Sequence, residues 1–140
     1  MRFIISGSNF SPKKVEERTN IILSAKEEVG EIIKRGPLKG TRTTIGYGRF
    51  ELPKDMVDAN GLYSPPVQYN GKSIDPLTWI VDVLYSQIDT IYECGAEEVN
   101  LDYYIYGKGD KSLSFEPEIL KKIGEMNVAL LISCYEDYVD

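Results

Sequence analysis

The sequence predicts an α+β fold: a ferredoxin-like split β-α-β core with a further helix and strand appended. Three observations predict it. Apolar or alternating runs of strand length stand at residues 3–6, 28–34, 43–52, 98–106 and 128–135. Helix starts with proline in the first turn separate them at Pro12, Pro76 and Pro117. The resulting order is β-α-β-β-α-β-α-β, and its first six elements have the split β-α-β arrangement. A mostly antiparallel sheet with three helices on one face follows.

Each element has a local reason. Phe3 to Ser6 is apolar and followed by Gly7, a buried strand ending in a turn. Ser11 caps a helix that runs from Pro12 to about Thr19. Glu28 to Lys34 and Thr43 to Leu52 read as two strands of a hairpin, split by Gly36, Pro37 and Gly40. Gly46 and Gly48 in the second strand mark a bulge or a close backbone neighbour. Residues 53–74 hold three prolines and two glycines with little periodicity, a long loop suited to binding. Asp75 caps one long helix ending at Gly95, with Leu77, Ile80, Val81, Leu84, Ile88 and Ile91 on its buried face.

Glu98 to Tyr106 alternates. Val99, Leu101, Tyr103 and Ile105 face the helices, and Asn100, Asp102, Tyr104 and Tyr106 face water or a partner. Phe115 precedes the cap of the last helix and is placed to staple onto Leu120; Ile119, Leu120, Ile123 and Met126 line that helix. Val128 to Tyr135 is a near-continuous apolar run, expected to be covered on both faces.

The chain has 140 residues, a formal charge of −6 and no histidine. This length is expected to make one domain over 1–140, with a core that needs neither metal nor disulfide. Without imidazole there is no Ser-His-Asp triad, no Cys-His dyad and no His-ligated metal, so the expectation is a protein that is no enzyme and carries no cofactor. Cys94 and Cys134 lie 40 positions apart in unlike settings and read as two reduced thiols. Only three apolar residues follow Met1 and Arg2, too few for a leader or a membrane span, so a cytoplasmic location is expected.

The pattern resembles a bacterial family known as domain of unknown function 4279. The resemblance rests on Ile5-Ser6-Gly7 closing the first strand, Ser11-Pro12 opening a helix, the central amphipathic helix, the acidic and tyrosine-bearing strand at 98–106, and Ser114 to Leu120 before a closing strand. It spans nearly the whole chain. It implies a small standalone protein of the kind found in toxin and immunity neighbourhoods.

Charge is uneven. Residues 1–88 hold 12 basic and 10 acidic side chains, whereas 89–140 hold 4 basic and 12 acidic, a net −8 that would steer a basic partner. Tyrosines on an open strand offer large amphipathic contact area at small entropic cost. The expected function is therefore an immunity-like or antitoxin-like inhibitor docking on a basic toxin or effector. Tyr104 and Tyr106 would serve as anchors, and Asp102, Glu136 and Asp137 as complementary charge. The alternative is a module for an anionic metabolite or nucleotide, held by Arg35, Lys39, Arg42 and Arg49 among glycine-permitted backbone amides. That segment lacks the spacing of a known phosphate loop, since Gly40 is followed by Thr41. A pI of about 4.8 opposes nucleic-acid binding.

Overall fold

The computed structural model describes residues 1–53, 67–69, 72–109 and 112–136. In chain order the elements are β1 (Arg2–Gly7), α1 (Pro12–Arg18), β2 (Ala25–Glu27), β3 (Gly46–Glu51), β4 (Val67–Tyr69), β5 (Lys72–Ile74), α2 (Pro76–Tyr85), α3 (Ile88–Glu93), β6 (Glu98–Tyr106), α4 (Pro117–Glu125) and β7 (Ala129–Tyr135). The fold is α+β. Five strands form a sheet in the order β2-β3-β1-β6-β7, and β4 and β5 make a separate two-stranded ladder. That ladder lies within the span expected to be loop; residues 54–66, 70 and 71 of that span fall outside the described residues.

The chain divides into two compact units. One comprises Arg2–Glu51 and Gln87–Asn100. Here β1 pairs antiparallel with β3, setting Phe3 opposite Phe50 and Gly7 opposite Gly46, and β2 pairs antiparallel with the other side of β3. Phe3, Ile5, Val15 and Ile91 are fully buried. The close approach expected at Gly46 is present: a Cβ there would stand 1.9 Å from the Phe10 carbonyl oxygen. α1 starts where expected, with Ser11 Oγ accepting from the Lys14 N–H at 3.3 Å. Glu28 reinforces that start, its Oε1 accepting from the Lys13 N–H at 2.7 Å and from Ser11 Oγ at 3.1 Å.

The strand expected over Glu28 to Lys34 is displaced. β2 ends at Glu27, and Gly30 turns the chain at a φ of +87°. A narrow arm follows, in which Gly30 N–H donates to Thr43 O and Ile33 N–H to Thr41 O, both at 2.8 Å, around a bridge between Ile32 and Arg42. Ile32 is 55% exposed, so the apolar residues that suggested a strand do not mark its position.

The other unit comprises Met1, Leu52–Ser86 and Leu101–Asp140. Asp75 caps α2 by accepting from the Thr78 N–H at 3.1 Å. The single helix expected from Asp75 to Gly95 is instead two, because Gln87, at φ −120° and ψ −1°, leaves helical geometry between α2 and α3. Ser86 helps close the first by donating from Oγ to Val83 O at 2.9 Å. All six stripe residues are buried, and their spacing runs through the break, which hid it. α2 and α4 are clasped by Lys122 Nζ on Asp82 Oδ1 at 2.6 Å and by the Tyr85 hydroxyl donating to Glu125 Oε2 at 2.6 Å. The Asp82 contact raises the Lys122 pKa, and the Glu125 contact raises that of Tyr85.

Ile119, Ile123 and Met126 of the last helical segment are buried, whereas Leu120 is exposed and Phe115 meets the Tyr103 ring edge-on at 5.9 Å. β7 departs most from expectation. Leu131, Ile132 and Tyr135 are 48%, 43% and 48% exposed, so this strand is not covered on both faces. Its place at the end of the strand order explains why: an apolar run signals strand length, while position in the sheet decides burial.

Candidate functional site

Alternation along β6 puts Asp102, Tyr104 and Tyr106 on one face of the sheet. Tyr135 of β7 joins them. Its ring stacks on Tyr106 with centroids 5.3 Å apart and planes 21° from parallel, and meets Tyr104 at 6.0 Å and 45°. Period two then places Ser133 and Leu131 on the same face. Tyr106 and Tyr135 are nearly half exposed, and Tyr104 is partly buried. The result is an aromatic platform with apolar ring faces and hydroxyl edges. Packing of the rings on one another, worth roughly 0.5–1.5 kcal/mol per pair, fixes their orientation before anything binds.

Asp102 does not supply surface charge. It is 8% exposed, and its Oδ2 accepts from the Tyr104 hydroxyl at 3.0 Å. The expectation of an exposed carboxylate is corrected: strict alternation gave the face, but the tyrosine two positions on covers its shorter neighbour. The acid therefore positions the ring. Glu136 is exposed, directly after Tyr135, and Asp137 lies outside the described residues. Tyr135 was missed because its run read as interior; only the pairing of β6 with β7 shows that it completes the cluster.

The four cations of the alternative site are not gathered at one point. Arg42 donates from Nη1 to Gly30 O at 2.7 Å, bracing the arm. Arg49 donates from Nε to Ser24 Oγ at 3.2 Å and pairs with Glu51 at 3.3 Å. Lys39 is exposed in a turn whose backbone N–H donates to Gly36 O. Arg35 lines a cleft of about 300 Å³ with Lys26, Lys34, Glu27 and Glu31, where carboxylates offset much of the positive charge.

Elsewhere, side-chain and backbone hydrogen bonds from Ser8 hold the Glu97 carboxyl below the usual range. Arg18 pairs with Glu93 and lies 3.9 Å from the sulfur of buried Cys94. Cys94 and Cys134 are both free thiols. Among the described residues, no cluster of three His, Cys, Asp or Glu side chains is placed to hold a metal ion, and no helix is long and apolar enough to cross a membrane. Comparison of the chain with protein-family models, with curated proteins and with solved structures finds no match.

Proposed function

We propose that this chain acts by binding and not by catalysis: it is an immunity-like or antitoxin-like inhibitor, working in the cytoplasm, whose tyrosine platform docks on a basic toxin or effector. One observation carries the reading, the stacked and exposed pair of Tyr106 and Tyr135 with Tyr104 held beside them by Asp102. Pre-oriented aromatic rings at the water boundary suit an anchor, because little side-chain entropy remains to be lost on binding. Glu136 at the edge and the net −8 over residues 89–140 supply a field that draws a basic surface. Asp102 acts by positioning Tyr104.

The scaffold reading that accompanies this is a ferredoxin-like split β-α-β core. It is supported by the order β2-β3-β1-β6, by the antiparallel β1·β3 and β2·β3 pairs, and by β7 added outside β6. Kinship with domain of unknown function 4279 belongs to the same proposal.

The test uses the basic product of a neighbouring reading frame, titrated calorimetrically against this chain. Tyr106→Ala and Tyr135→Ala should each weaken binding by about 2 kcal/mol, the scale of an interface hot spot. Unchanged affinity in the double variant overturns the platform. A thermal shift with nucleotides that Arg35→Ala abolishes would favour the anion-binding alternative, since ligand at a hundred times its dissociation constant adds about 2.7 kcal/mol.

A further inference from the structure

The last strand of the sheet raises a separate question. β7 is seven residues long, Ala-Leu-Leu-Ile-Ser-Cys-Tyr, with no charge, no proline and no glycine. It stands at the end of the strand order, with three apolar or aromatic side chains each more than 40% exposed. Edge strands are normally kept from pairing by shortness, charge or proline. The opposite end of this sheet obeys that rule: β2 has three residues, and two of them are Lys26 and Glu27. β7 does not.

We propose that β7 pairs with β7 of a second copy of this chain, antiparallel about a two-fold axis through Ile132. The sequence is complementary to its own reversal in this register. Ala129 falls opposite Tyr135, Leu130 opposite Cys134, Leu131 opposite Ser133, and Ile132 opposite itself. Every pair off the axis joins a large side chain to a small one, and the axis carries a β-branched residue suited to a strand. A slip of the axis to Leu131 sets Leu130 against Ile132 and Ala129 against Ser133, large on large and small on small. A slip to Ser133 sets Leu131 against Tyr135 and brings Glu136 against Leu130.

Charge also favours a second copy as the occupant. A foreign basic strand finds no carboxylate between Ala129 and Tyr135, whereas two copies of a neutral strand bring no like charges together. Along the pairing strand itself the first acid, Glu136, lies four residues from the axis, so the two copies of it stand about 27 Å apart at 3.4 Å per residue. That exceeds the roughly 8 Å screening length at physiological salt. Residues 131, 133 and 135 keep their face on pairing, so the sheet continues through the axis and the tyrosine platforms of both copies lie on one side of it. This proposal does not depend on what the platform binds.

Sedimentation of the intact chain from micromolar to near-millimolar concentration tests it. A monomer–dimer equilibrium is expected. Ile132→Lys sets two ammonium groups face to face and should weaken the dimer by about tenfold or more. Ile132→Glu should do the same, and an equimolar mixture of the two variants should restore a dimer, which also shows that both variants are folded. A native chain that remains monomeric throughout overturns the proposal and leaves the edge to another protein or another segment of this chain. A dimer unaffected by either substitution, or a mixture that fails to re-associate, overturns it as well.

Discussion

Gly46→Ala is a sharp test of how the β1–β3 unit is packed. The new Cβ would sit 1.9 Å from the Phe10 carbonyl oxygen and 2.8 Å from its carbon, and contacts under 3.0 Å are essentially never met. The obstacle is backbone, so no rotamer change relieves it. Either the Phe10 segment or β3 must retreat by about 1 Å, and over-packing of this kind costs about 3 kcal/mol. The smaller entropy of the unfolded alanine chain returns roughly 0.4–1 kcal/mol. The net loss of about 2 kcal/mol is a large part of an ordinary folding free energy and should lower the melting midpoint by several degrees. Gly124→Ala is the control: it sits in α4 with nothing within 4 Å of its added Cβ, so helix propensity alone should stabilise the chain by about 0.5 kcal/mol. Urea unfolding followed by circular dichroism reads both. If Gly46→Ala lies within about 0.5 kcal/mol of the parent, the close approach does not exist as described.

Further outcomes follow from local chemistry. Ser11→Ala removes the cap of α1 and should cost about 1 kcal/mol in the same unfolding assay, while Ser11→Thr, which keeps both the acceptor for Lys14 N–H and the hydroxyl donor to Glu28, should retain most of the stability. Glu16 accepts from the Leu23 N–H at 3.0 Å and pairs with Lys26, and its pKa is lowered chiefly by the Lys26 contact. A folded pKa below the unfolded value gives stability that is present above the ordinary glutamate value, about 4.3, and is lost as pH falls through the lowered one. Glu16→Gln should therefore be destabilised at neutral pH and converge on the parent in acid, which denaturant midpoints taken across that window will show. Asp102→Asn preserves shape and removes the acceptor charge; the fluorescence or ring chemical shifts of Tyr104 should change while the midpoint moves by less than in Asp102→Leu, which leaves the Tyr104 hydroxyl without this acceptor.

Much of this scaffold was legible because its signals are local. Ser11-Pro12 and Asp75-Pro76 mark helix starts through one oxygen and one fixed φ, and both helices begin there. Glu98 to Tyr106 alternates, and β6 spans those residues. What was not legible depends on neighbours distant in sequence. The apolar spacing from Leu77 to Ile91 is the same for one helix or two, so the break at Gln87 left no trace in it. The β7 run reads as interior because the sequence does not say which strand comes last. Asp102 shares the outer parity of Tyr104 and Tyr106, yet a hydroxyl two residues away closes over it. Tyr135 belongs to the platform only through pairing of β7 with β6. In each case the residue type was read correctly and its surroundings were not.

The short first helix carries one more consequence. Seven residues are too few to hold helical form alone, and α1 has its opening amide bound by a carboxylate from position 28, beyond the next strand. Its earliest turn is thus fastened by the residue that directly follows β2, so fraying there is tied to release of that residue. The slow exchange of a single proton, on the nitrogen of Lys13, would keep time for the opening of a segment fifteen positions away.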